Sequence, residues 1–213
     1  MSPPPVKPVN SLPLRPYATS SLLLLIVKSE LKHHLTPLFL IFCFISLFWL
    51  FGNVVWYQFV YLFFGFLWGS FFLDLDHLVY WFLLEPKLPE SFQARQLLKE
   101  RNVLGLIKLL EKNHKNHTSL IFHHYFFQIV LALTTLFVIS SSGSIFTSAF
   151  AIAINIHLLT DEIVDFRLQP RHLQNWLFAR ETKQIPQEFL PHYLLTFLLF
   201  SLIFLFGLIK LPL

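Results

Sequence analysis

Cysteine, glycine and charge are the scarce components of this 213-residue chain. A single cysteine, Cys43, can form no internal disulfide, so nothing points to an oxidising compartment. Six glycines and that lone cysteine exclude collagen-like and disulfide-stapled chains, and the apolar composition excludes a disordered one. Charged residues make up 13%, where a soluble domain carries about 25%. No P-loop, dinucleotide fingerprint, H-E-x-x-H or Ser-His-Asp hydrolase motif occurs. What is abundant is apolar. Hydrophobic residues reach 55%, mean hydropathy is +0.60, and 26 phenylalanines are more than a core of this size can hide. The sequence reads as an all-α, polytopic membrane bundle, and its ten histidines call for an explanation.

Three stretches hold no Asp, Glu, Lys or Arg: Leu35–Leu73, Asn116–Thr160 and Phe189–Ile209. A membrane-crossing helix needs about 20 apolar residues. The first two stretches are about twice that length and should fold back at Gly52-Asn53 and at Ser140–Ser144. Five transmembrane helices are expected, near 35–52, 54–73, 119–139, 144–160 and 190–209. A β-barrel is excluded because no ten-residue alternating pattern occurs.

Lys and Arg set the orientation. With five spans, the N-terminus and the 74–118 and 161–189 loops share one side and carry fifteen of the basic residues, against Lys210 alone on the other. That side should be the cytoplasm, at a plasma (inner) membrane. The net charge of +4 and pI near 9.2 then reflect topology, not nucleic-acid binding. Residues 1–20 read as a proline-rich cytoplasmic tail without a signal-peptide core, and residues 21–213 as the membrane-embedded domain. Ser21–Lys32 suggests an interfacial helix, and Val103–Leu110 with Lys108, Lys112 and Lys115 an amphipathic helix on the leaflet. Trp49, Trp56, Trp68, Tyr80 and Trp81 fall where a lipid-anchoring aromatic belt belongs.

Three polar clusters lie at the cytoplasmic ends of different spans. Asp74-Leu75-Asp76-His77 closes the second. His117, His123 and His124 open the third. His157 and Asp161, four apart on one helix face, close the fourth, with Glu162 and Asp165 behind them. Converging imidazoles and carboxylates suit a divalent ion, zinc among the candidates. The lack of cysteine ligands argues against a closed structural zinc site. Each cluster also has a plainer reading: polar residues that end a helix at the headgroups, a histidine bonded to a neighbouring helix, or a solvated acidic cap. Their coincidence on one membrane face favours a shared site.

The order of these motifs resembles the YdjM-like family, inner-membrane proteins described as metal-dependent hydrolases. Leu73-Asp74-Leu75-Asp76-His77 is similar to the family's P-D-x-D-H, with Leu73 in place of the proline. Ile156-His157-Leu158-Leu159-Thr160-Asp161 is similar to its S-H-x-x-x-D, and Gln169-Pro170 to the proline that follows. His33-His34 stand where the family often has a histidine before its first helix. The family's H-R-G-x-T-H-S is absent as such; His114-Lys115-Asn116-His117-Thr118-Ser119 and Leu120-Ile121-Phe122-His123-His124 are its two counterparts. Depth along the helix favours His123 as the ligand, with His117 second.

The expectation is a membrane-bound, metal-dependent hydrolase. Its ion would be held by a subset of Asp74, Asp76, His77, His117, His123, His157 and Asp161, with Asp74 or Asp165 as general base. The site's depth suggests a phosphoester or lipid-like substrate arriving from the leaflet. The alternatives are a metal-binding or ion-transporting protein, disfavoured by the apolar midplane segments, and a non-catalytic scaffold.

Overall fold

The computed structural model describes residues 20–113 and 117–212, save the side chains of 20–34 and 111. The tail before Ser20, the His33 and His34 side chains and His114 therefore lie outside the described residues. Among the described residues every regular element is helical: α1 (Ser20–Phe51), α2 (Trp56–Phe72), α3 (Leu75–Val79), α4 (Pro89–Lys99), α5 (Val103–Asn113), α6 (Tyr125–Ser141), α7 (Ile145–Leu168), α8 (Pro170–Leu177) and α9 (Leu190–Lys210). A π-helical turn, Tyr80–Leu84, prolongs α3, and a 3₁₀ turn, Gln187–Phe189, leads into α9. Both expected fold-backs occur. Asn53 takes φ 55° between α1 and α2, and Gly143 takes φ 62° between α6 and α7, the left-handed region that Gly and Asn tolerate best. Ser144 then caps α7 by accepting from the Thr147 amide at 3.3 Å.

α7 is the central helix, in contact with α1, α2, α6, α8 and α9. Every residue from Ala151 to Leu159 is buried, as a helix surrounded by others requires. Its tightest neighbour is α2. A Cβ on Gly65 would stand 2.6 Å from the Phe146 carbonyl oxygen and 2.7 Å from Ala149 Cβ. One on Gly69 would stand 2.5 Å from both Phe150 O and Ala153 Cβ. Two glycines four apart thus meet two alanines four apart, the small-residue seam that lets helix backbones touch.

The structure departs from the sequence expectations at several points. The third expected span begins at Tyr125, not 119, because the amides before it are drawn to a side chain rather than to a helical turn. Ser21–Lys32 is no separate interfacial helix but the first part of the continuous α1. The second span stops at Phe72, and Asp76 and His77 sit on the new helix α3. Among the described residues two segments, Trp56–Leu84 and Gln187–Lys210, are by themselves long and apolar enough to cross a membrane, where five spans were expected. Leu35–Phe51 and Tyr125–Ser141 are apolar but shorter, and α7 carries the buried polar residues Asn155, His157 and Glu162. The aromatic belt also divides. Trp56 and Trp68 face outward, whereas Trp49, Tyr80 and Trp81 are buried. Trp49 Nε1 donates to the Ile209 carbonyl at 2.9 Å, tying α1 to α9.

The outside of the bundle is apolar. Phe51 is 81% exposed, Phe137 67% and Leu133 64%, with Phe39, Phe44, Val60, Phe63, Leu199 and Ile203 also exposed. Soluble monomers rarely expose contiguous apolar patches beyond a few hundred Å².

Candidate metal centre

The polar cluster gathers at the end of the bundle opposite the two fold-backs. Its organiser is Asp76, fully buried on α3. The Phe122 amide donates to its Oδ2 at 2.6 Å and the Ile121 amide to its Oδ1 at 3.1 Å. Hydrogen bonds to an ionised acceptor are the strong ones, so one carboxylate turns the chain from 117 to 124 inward instead of letting it wind into α6. The same Oδ2 lies 3.2 Å from Nδ1 of buried His123. His124, the next residue, caps α6 by accepting from the Phe126 amide at 3.3 Å.

His157 reaches this place from α7. Its Nδ1 lies 2.7 Å from the Ser70 carbonyl oxygen on α2. A carbonyl only accepts, so Nδ1 carries the proton and Nε2 is the nitrogen left to face the site. Gly69 precedes Ser70, and the close α2–α7 approach it permits brings that carbonyl within reach. His157 Nε2 lies 3.4 Å from Asp161 Oδ2, and His123 Nε2 lies 3.8 Å from the same oxygen. The i, i+4 spacing has placed His157 and Asp161 on one face as expected, and His123 meets them from the other side.

His77 and His117 form a second layer. Their Nδ1 atoms stand 2.8 Å apart, and His117 Nε2 lies 3.1 Å from Glu90 Oε1. The His77 ring sits 5.8 Å from the His123 ring. Asp74 is half-buried, and its charge reaches His157. Asp165 is drawn elsewhere: the His172 Nδ1 and the Trp176 Nε1–H each approach its Oδ2 to 2.8 Å. It therefore anchors α8, whose Trp176 closes over the site with its ring edge-on to His123 at 5.6 Å. Of the two expected general bases, Asp74 remains in the cluster and Asp165 does not.

Glu162, the residue after Asp161, is fully buried. Gln128 accepts from the Tyr193 hydroxyl and donates to the His123 carbonyl at 3.1 Å, so α9 also supports the His123 segment.

Among the described residues, no three His, Cys, Asp or Glu side chains already surround one point at metal-holding distance. Two donor separations, His157–Asp161 and His123–Asp161, can be compared with those of a bound divalent ion. With bonds of about 2.0–2.1 Å, neighbouring donors of a tetrahedral site stand roughly 3.3–3.4 Å apart; the His157–Asp161 spacing has that value and the His123–Asp161 spacing is slightly wider. Both imidazoles are held at Nδ1 by a second acceptor, Ser70 O and Asp76, as histidine ligands commonly are. Sequence reading did not single out Ser70, Glu90, Gln128 or Trp176, whose roles depend on contacts distant in the chain. No protein-family model, curated protein or solved structure matches this chain.

Proposed function

We propose that this protein is an integral membrane, metal-dependent hydrolase of the YdjM-like kind, with five crossings, a cytoplasmic N-terminus and its site at the cytoplasmic face of the inner membrane. The carrying observation is His157: its Nδ1–H is held by the Ser70 carbonyl and its Nε2 faces Asp161, opposite His123. An imidazole fixed in this way inside a bundle is a poor lipid anchor and a good ligand.

His123, His157 and Asp161 would hold the ion, with His77 beside them. When bound, a divalent ion supplies Lewis acidity and a water of lowered pKa. Asp76 fixes His123 and the backbone behind it. Asp74, half-buried and unclaimed by α8, is the candidate to take a proton from the nucleophilic water. Trp176 and α8 shield the site from bulk solvent. The apolar exterior beside the site favours a lipid-like phosphoester entering from the leaflet. In the sequence, fifteen of the sixteen basic residues fall in the N-terminal segment and the 74–118 and 161–189 loops, against Lys210 alone after the last span, which supports the orientation.

The test is elemental analysis of the purified chain beside His157→Ala and Asp161→Ala. About one equivalent of a divalent metal is expected in the wild type, with loss in both variants; equal traces in all three would overturn the reading. Metal loss together with phosphoesterase activity on lipid substrates, abolished by Asp74→Asn, separates a hydrolase from a transporter. A scaffold would hold no metal and tolerate all three changes.

A further inference from the structure

An open groove of about 450 Å³ lies between the start of α6 and the turn that follows α8, at the same end of the bundle as the polar cluster. Its lining divides in two. Phe126, Phe127 and Val130 of α6, with Ile121 before them, are apolar. Arg180 and Glu181, neighbours in the turn, are charged, and His124 lies with them. The apolar half continues past the groove. Phe126, Val130, Leu133 and Phe137 follow at steps of four, three and four, which places them on one stripe of α6, and all four are exposed. From Phe126 to Phe137 the stripe runs ~16 Å at 1.5 Å per residue, about half of a ~30 Å hydrocarbon core. That is the depth of one leaflet.

The charged half is held in place. The Glu181 amide donates to the Phe178 carbonyl at 3.2 Å, closing a turn in which Arg180 takes φ 71°. Glycine is favoured at that third position of a turn. A long side chain in left-handed backbone is uncommon and costly, and such strain gathers at functional sites. Glu181 is fixed as well. The Tyr125 hydroxyl donates to its Oε1 at 3.3 Å, and His124 Nε2 lies 3.9 Å from the same oxygen. The nearer partner is a hydroxyl, which orients a carboxylate without cancelling its charge.

We propose that this groove binds one phospholipid whose headgroup carries both a phosphate and a primary ammonium: Arg180 takes the phosphate, Glu181 the ammonium, and an acyl chain lies along the α6 stripe. Guanidinium N–H groups match phosphate oxygens in charge and geometry, and a carboxylate accepts from the N–H donors of an ammonium. An anionic headgroup would set like charge against Glu181, and a quaternary ammonium offers that carboxylate no N–H. The proposal rests on the membrane reading of the apolar exterior and not on the metal centre. Ile121, which lines the groove, also donates its amide to Asp76 at 3.1 Å. A lipid seated here therefore lies against the segment that presents His123.

The experiment is native mass spectrometry of the full chain, stripped of metal in detergent micelles and titrated with dioleoyl phosphatidylethanolamine, phosphatidylcholine or phosphatidylglycerol. One ethanolamine lipid should be retained per chain, at a lower lipid concentration than either of the others requires. Arg180→Gly should weaken that binding by ~10-fold, the worth of one charge-assisted hydrogen bond. Its melting temperature should not fall, because glycine accepts a φ of 71° without strain. Glu181→Gln should abolish the preference over the glycerol headgroup, and Val130→Trp, which fills the apolar half, should weaken all three lipids alike. Equal retention of the three lipids by the wild type, or wild-type binding by Arg180→Gly, would overturn the proposal. The wild-type titration decides even if a variant fails to fold. A chain that partitions into membranes yet shows no headgroup preference sinks the groove alone; one that stays in solution without detergent or lipid sinks the membrane reading with it.

Discussion

Two helix seams in this bundle follow opposite designs. Where α2 meets α7, Gly65 and Gly69 face Ala149 and Ala153 so closely that no Cβ fits. Where α6 meets α9, Gln128, Ala132, Leu136, Tyr193, Phe197 and Phe204 line an open groove of about 200 Å³. The first seam delivers the Ser70 carbonyl to His157 and so sets the orientation of a buried imidazole. The second joins through Tyr193 and Gln128 at the site end and leaves an open, apolar groove beside them. The lesson is that precision is concentrated where backbone meets backbone beside the polar cluster. Elsewhere, interchangeable apolar side chains suffice.

The same small change placed in each seam should break this contrast or sharpen it. Gly69→Ala is expected to have the largest effect. Its Cβ would press on the Phe150 carbonyl and Ala153, neither of which can swing away. Overpacking of this kind costs about 1–3 kcal/mol or more. Thermal unfolding in micelles should show a clear loss of stability, and, if the proposed metal centre holds, metal content should fall because the Ser70 carbonyl is pushed off His157. A melting curve equal to wild type would mean that the seam is not closely packed.

Asp76→Ala ranks next. It removes the acceptor of the Ile121 and Phe122 amides, and a buried donor left unsatisfied costs about 1–3 kcal/mol. The damage should stay local. Hydrogen exchange should accelerate over residues 117–124 while α2 and α7 remain protected. Uniform acceleration would show that Asp76 supports the whole bundle, and no acceleration that it does not organise this segment.

How much of this could be read from the chain follows from the range of each interaction. The fold-backs at Asn53 and Gly143 were legible because turn chemistry is local. The His157–Asp161 pairing was legible because helical spacing is local too. The start of α6 was not: residues 119–124 continue an apolar run, and only a carboxylate some 45 residues upstream withholds their amides from the helix. Glu90 reads as one more loop acid until the fold sets it against His117. Asp165 misled for a related reason. It continues the i, i+4 row from Asp161, but α8 folds back and its His172 and Trp176 capture the carboxylate. Gly65 and Gly69 stood in plain view at the spacing of a close helix contact. Their partners on α7 are what the sequence leaves unnamed.

The smallest expected effect is the control for the first. Gly207 lies on α9, and a Cβ there would approach Ile139 Cγ2 on α6 at 2.7 Å, with Ile139 Cδ1 next at 4.0 Å. The obstacle is a side-chain methyl rather than backbone, and although the β-branched Ile139 is stiff at χ1, turning it off its rotamer to make room costs ~0.5–1.5 kcal/mol. Alanine also favours a helix over glycine by ~0.8–1.0 kcal/mol. The two contributions nearly cancel, so Gly207→Ala should melt close to wild type. If it is instead as damaging as Gly69→Ala, then α6 and α9 pack as tightly as α2 and α7. The distinction between a seam that positions chemistry and one that only excludes water would not survive that result.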